Sequence, residues 1–156
     1  MDGFQISKFF KRPADKVERR ARPRVPIQGE YTVLVVDDSR TVLHAVTTVL
    51  EQGGYKTLSA VDGDEAINLA RQETPDVILM DVIMPGMNGF QATRILNKDP
   101  ITKNIPIVII SSSEQPTEQA WCRRLGARAF LSKPIQRGEL FPCLEELLEL
   151  NMVPLI

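Results

Sequence analysis

Val77-Ile78-Leu79-Met80-Asp81-Val82-Ile83-Met84-Pro85-Gly86-Met87-Asn88-Gly89 joins a short apolar run to a carboxylate and then to a loop rich in Pro and Gly. A continuous apolar run of this length, bounded by breakers, fits a strand buried on both faces. A carboxylate at its C-terminal tip then belongs to the edge of the sheet, where open α/β sheets bind ligands. The arrangement recurs where Val33-Leu34-Val35-Val36 leads into Asp37-Asp38, Ile107-Val108-Ile109-Ile110 into Ser111, and Ala129-Phe130-Leu131 into Lys133-Pro134. These four strand ends present three carboxylates, a hydroxyl and an amine. That inventory suits transfer of a phosphoryl group to and from a carboxylate, with a divalent cation in attendance.

Outward from these ends, strand and helix patterns alternate. Strands are predicted at 32–36, 55–60, 76–80, 106–110 and 128–131, with helices near 39–52, 63–73, 89–98, 115–125 and 137–150. In the first helix Val42, Val46, Val49 and Leu50 share a face, Ser39 caps the start and Gly53-Gly54 ends it. Apolar strands joined by helices give a parallel sheet covered on both faces, and right-handed crossovers make it doubly wound. The expected fold is therefore an α/β doubly wound five-stranded parallel sheet.

A chain of 156 residues, 43% hydrophobic, can bury one good core and leaves little for a second domain. Cys122 and Cys143 form no C-x-x-C pair and lie in helical patterns, so they read as reduced thiols without a metal or redox role. No apolar segment approaches the roughly 18 residues of a membrane span, and the first residues lack the centre of a signal peptide. A soluble cytoplasmic protein is expected. Residues 1–30 hold eight Lys/Arg against four acids, whereas the remainder has eleven against sixteen. Pro13, Pro23 and Pro26 break that basic stretch, which sets a boundary near residue 30. The expected organisation is a basic N-terminal extension over 1–30, a domain over 31–150 and a tail over 151–156. With so short a tail, no helix-turn-helix or catalytic output domain is expected after the last helix.

Val-Val-Asp37-Asp38-Ser-Arg, Leu-Met-Asp81-Val-Ile-Met-Pro-Gly-Met-Asn-Gly, Ile-Ile-Ser111-Ser-Ser and Phe130-Leu-Ser-Lys133-Pro134, in this order and spacing, resemble a two-component response-regulator receiver domain. The resemblance implies the flavodoxin-like (βα)5 receiver fold of the chemotaxis regulators. Met-Pro-Gly-Met-Asn-Gly-Phe-Gln-Ala-Thr-Arg and the helix carrying Trp121 look most like stand-alone regulators of twitching motility and phototaxis. On this resemblance Asp81 is the phosphoacceptor, taking a phosphoryl group from a histidine kinase or phosphotransfer protein. Asp38 and Asp81 would ligate Mg²⁺ with the Ile83 backbone carbonyl, and Asp37 would act through water. Three like charges at one site should raise at least one carboxylate pKa. Lys133 would meet the phosphoryl oxygens, before a cis peptide bond to Pro134. Ser111 would donate its hydroxyl to the phosphoryl group; serine departs here from the commoner threonine. Its movement would be linked to Phe130, which reads equally as a core aromatic and as a switch residue. Trp121 is either part of an output surface or a partly buried packing residue. Ile83 and Ser113 occupy positions where the family tunes phosphoryl lifetime, and an apolar Ile83 could shield against water, giving slow loss of the phosphoryl group. His44 falls on the polar side of the first helix and reads as a surface residue.

The extension supports a second expectation. Glu18-Arg19-Arg20-Ala21-Arg22-Pro23-Arg24 resembles the arginine-rich opening of the PilZ family of cyclic-di-GMP receptors, with Arg20 and Arg24 as nucleotide contacts, although no β-barrel pattern follows. Phe4, Ile6, Phe9 and Phe10 form an apolar cluster that could dock on a partner or on the domain itself. Poor aromatic interleaving and an acidic body disfavour nucleic acid as a partner. Two function classes follow. One is a phosphorylation switch with a downstream protein target in motility machinery and no separate enzymatic activity. The other is a receiver that controls nucleotide or nucleic-acid binding through its extension.

Overall fold

The computed structural model describes residues 8–9, 30–113 and 115–152. The elements run β1 (Lys8–Phe9), β2 (Thr32–Val36), α1 (Arg40–Gln52), β3 (Lys56–Ala60), α2 (Gly63–Glu73), β4 (Val77–Asp81), α3 (Gly89–Lys98), β5 (Ile107–Ser111), α4 (Pro116–Arg124), β6 (Ala129–Ser132) and α5 (Arg137–Met152). They build one six-stranded sheet in the order β1-β6-β5-β4-β2-β3. The five strands β2 to β6 are parallel, as the alternating pattern requires, and β1 pairs with β6 antiparallel.

Strands β2, β4, β5 and β6 feed two cores because successive side chains point to opposite faces. Val33 and Val35 of β2, Val77 and Leu79 of β4, and Val108 and Ile110 of β5 pack on one face with Leu43, Val46 and Leu50 of α1 and Leu140, Leu144 and Leu147 of α5. Leu34 and Val36, Ile78 and Met80, and Ile107 and Ile109 pack on the other with Ala66 and Ala70 of α2, Ala92 and Leu96 of α3 and Cys122 of α4. No face of β2, β4, β5 or β6 is left for polar side chains, which is why they read as apolar runs, whereas the edge strand β3 exposes Lys56 and Ser59. In these four strands polar residues enter only at the ends.

Helix termini follow local chemistry. Ser39 Oγ accepts from the Val42 amide to start α1, and Gly53 and Gly54 close it, Gly54 at φ +93°. Leu43, which the sequence pattern passed over, is buried beside Val46 and Leu50, whereas Val42 and Val49 flank them half-buried. A reciprocal capping box starts α3, with Asn88 Oδ1 accepting from the Gln91 amide and Gln91 Oε1 from the Asn88 amide. Tyr55 and Phe141 stack at 6.0 Å between centroids, bringing the start of β3 against α5.

Two differences from the sequence pattern matter. Strands β4, β5 and β6 end one residue later than expected, so that Asp81 pairs with Ile110 and Ser111 with Ser132. Polarity marked the last apolar residue, but ladder bonds use backbone groups and run on under the first polar side chain. The second difference is β1, a strand contributed by the basic stretch, with Lys8 opposite Phe130 and Phe9 opposite Ala129. Arg20, Arg24 and the remainder of the extension, with Phe4, Ile6 and Phe10, lie outside the described residues, as does the end of the C-terminal tail. Among the described residues no helix is long and apolar enough to cross a membrane.

Candidate functional site

Strand order reverses between β2 and β4, since β3 lies on one side of β2 and β4 and β5 on the other. Chain connections diverge at such a point and leave a crevice at the carboxyl ends of the strands. Asp37 and Asp38 follow β2 there, and Asp81 closes β4. One carboxylate oxygen from each of Asp37, Asp38 and Asp81 lies within 4.8 Å of the others. Asp37 and Asp81 are buried and Asp38 is exposed, so the cluster has protein on one side and solvent on the other.

Backbone bonds fix the cluster. The Asp37 amide donates to the Ala60 carbonyl at 3.1 Å, and Asp37 Oδ1 accepts from the Ser39 amide at 2.9 Å. The Val82 amide bonds the Ile110 carbonyl, and the Val82 carbonyl accepts from Gly89 at 2.8 Å. Gly89 is packed so closely that a Cβ built on it would stand 2.0 Å from the Asp81 carbonyl oxygen. Asp81 therefore sits between a ladder and a helix start, with almost no freedom of backbone position.

Lys133 enters from the end of β6, and its peptide bond to Pro134 is cis. Its Nζ lies 2.9 Å from Asp81 Oδ1 and 3.2 Å from Asp37 Oδ2, one ammonium shared by two buried carboxylates. Burial alone would lower the lysine pKa, but the hydrogen bonds and charges of Asp81 and Asp37 outweigh it and hold Lys133 above the ordinary lysine value. Asp81 is pushed above the ordinary aspartate value, first by burial; the Lys133 hydrogen bond opposes that shift and the Asp37 charge adds to it. Charge crowding was the cause anticipated from sequence, yet desolvation leads.

Ser111 stands one register step beyond Asp81 on the neighbouring strand and is buried. Its Oγ lies 2.7 Å from Glu118 Oε1 in the first turn of α4 and accepts from the Ser113 amide at 3.0 Å. Glu118 had no signal in the sequence, because a glutamate in a first helical turn is ordinary there. Gly89 was read only as a loop breaker, although its close approach to Asp81 fixes the site. Phe130 is completely buried in the core on the α4 side. The Ile83 side chain is 74% exposed, two residues beyond Asp81, and Trp121 on α4 is 49% exposed. His44 is exposed on α1. Cys122 and Cys143 are free and buried; burial pushes the Cys122 thiol up to about 12 and Cys143 up as well, so neither is a ready thiolate.

The donor set is all oxygen, compact, and open to water at Asp38, which fits a small hard dication that keeps part of its hydration shell. A soft or tetrahedral metal would want sulfur or imidazole, and the cluster contains neither.

A family model described as the response regulator receiver domain matches residues 33–145. The chain is 46% identical over 116 residues to Protein PilH of Pseudomonas aeruginosa, covering 74% of this chain and 96% of that protein. Among solved structures it is similar to the chemotaxis protein CheY4 of Vibrio cholerae, with a TM-score of 0.73 and 31% identity, covering 76% of this chain and 99% of that one. The receiver domain of the sensor histidine kinase PA1611 of Pseudomonas aeruginosa, solved with a magnesium ion coordinated in its active site cleft, matches with a TM-score of 0.72 and 26% identity over 78% of this chain and 99% of that one.

Proposed function

Because this chain belongs to the family of response regulator receiver domains of two-component signalling, we propose that it is a phosphorylation-dependent switch that accepts a phosphoryl group on Asp81. The carrying observation is Lys133 Nζ at 2.9 Å from Asp81 Oδ1, beside the clustered carboxylates of Asp37 and Asp38. In this reading an Asp81 carboxylate oxygen attacks phosphorus in line. The bond from phosphorus to the donor's histidine nitrogen breaks, an acyl phosphate forms, and the departing imidazole takes up a proton.

Lys133 and Ser111 act on the transferred group. The ammonium, already held at the nucleophile by two carboxylates, moves onto phosphoryl oxygens as they arrive and offsets their charge. Ser111 donates its hydroxyl, and Phe130 follows that movement as the switch residue. Asp38, Asp81 and the Ile83 carbonyl would hold Mg²⁺, with Asp37 behind them. The cation supplies charge neutralisation for three carboxylates and an incoming phosphoryl group. An apolar Ile83, exposed two residues beyond Asp81, would hinder an attacking water and give slow loss of the phosphoryl group, which a half-life of seconds would contradict.

The donor is a histidine kinase or phosphotransfer protein, and the output is contact with a downstream protein in chemotaxis-like or motility signalling, in the cytoplasm. Likeness to the chemotaxis regulator CheY4 supports that setting. The test is incubation with a small phosphodonor and Mg²⁺, read by intact mass. The expected result is a single phosphoryl adduct on the wild type, none on Asp81→Asn, and strongly reduced labelling of Lys133→Ala. Labelling that persists in Asp81→Asn would overturn the assignment.

A further inference from the structure

The Ser111 hydroxyl carries one proton, and that proton has a fixed destination. Oγ lies 2.7 Å from Glu118 Oε1, and an ionised carboxylate only accepts, so Ser111 must be the donor. The Ser113 amide at 3.0 Å occupies one of the lone pairs of the same oxygen. A phosphoryl group on Asp81 would require the same proton. Two anions therefore compete for one O–H, and in this structure Glu118 holds it.

Glu118 lies in the first turn of α4, and Trp121 follows it three residues later on the same short helix. No side chain caps the α4 start at Gln115, so the bond from Ser111 at the end of β5 is a tie between the sheet and this first turn. Glu118 is half-buried, and at a helix N-terminus its charge remains favourable once the serine has left. Release of Ser111 does not strand a buried ion.

We propose that Glu118 is a positioning residue that keeps the Ser111 hydroxyl out of the phosphoryl site, and that phosphorylation takes this hydroxyl from Glu118 and so unties the first turn of α4. The proposal rests on Asp81 accepting a phosphoryl group, and it adds an opposing acceptor to that switch. Removing Glu118 should make the active form easier to reach, the reverse of what damage to the fold would do.

The test measures affinity for beryllofluoride in the presence of Mg²⁺ on the full chain, by calorimetry and by fluorescence of Trp121, the single tryptophan. Glu118→Ala should bind about tenfold more tightly than wild type, the factor that one net hydrogen bond to a charged group is worth. Glu118→Gln keeps a neutral acceptor of the same shape and should fall between the two. In a Ser111→Ala background Glu118→Ala should change the affinity by less than about twofold, because the contested proton is gone. Unchanged or weaker binding in Glu118→Ala and Glu118→Gln would overturn the latch while leaving phosphorylation at Asp81 in place. The same gain in the Ser111→Ala background would also overturn it. If wild type binds no beryllofluoride and matches Asp81→Asn, the phosphoacceptor assignment falls and the latch with it.

Discussion

The charge state of Asp81 is set by burial and by charged neighbours acting in opposite directions. Burial raises its pKa, the Lys133 hydrogen bond lowers it, and Asp37 raises it again. In metal-free protein a carboxyl-carbon NMR titration should place the Asp81 midpoint above that of an ordinary aspartate, with Lys133→Met moving it higher and Asp37→Asn lower. The signs for stability differ between the partners. Asp81 with a raised native pKa costs stability above that pKa, and the cost disappears as pH falls through it. Lys133 with a raised native pKa contributes stability that is complete below its unfolded value and is lost as pH rises through the native one. Denaturation of metal-free protein should therefore show a gap between wild type and Lys133→Met that closes as pH climbs through the lysine range. Asp37, Asp38, Asp81, Ser111 and Lys133 could be singled out from sequence because a polar or charged side chain at the end of an apolar strand is conspicuous. Glu118 could not, since its importance lies in a partner seven residues away across a turn.

At the scale of elements, α3 carries the most local information and the tightest constraint. Its capping box satisfies two otherwise unpaired amides, and Asn88→Ala should cost about 1 kcal/mol in chemical denaturation. One residue on, Gly89→Ala would drive a methyl into the Asp81 carbonyl, where only backbone can give way. We expect a loss of about 1–3 kcal/mol, in the range of overpacked sites, and loss of beryllofluoride binding, because the atom displaced belongs to Asp81, the proposed phosphoacceptor. Gly138 in α5 is the contrasting case. A Cβ there meets nothing within 4 Å, and Gly138→Ala should stabilise by about 0.5–1 kcal/mol. Helix positions were legible in the sequence because caps and periodicity act within a few residues. Strand ends were displaced by one residue because the ladder depends on a neighbouring strand that the local pattern does not contain.

For the whole molecule, the α/β fold was legible because both faces of the central strands are buried, so that each of them is an apolar run flanked by helical patterns. The two resulting cores share the sheet, and Phe130→Ala, which empties a completely buried aromatic site, should cost about 3–5 kcal/mol. Strand β1 was illegible for a physical reason. It has two residues, with no room for a period, and its pairing is determined by the open edge of β6. Replacing Lys8 and Phe9 together by proline removes the two amides of β1, and hydrogen exchange over residues 129–132 should accelerate in that variant of the full chain. The edge has a further consequence. A strand tethered by its own chain to its acceptor is presented at an effective concentration of order millimolar. A free peptide seeking the outer edge of β6 must exceed that level or make correspondingly better contacts, so the edge is screened by mass action as well as by shape.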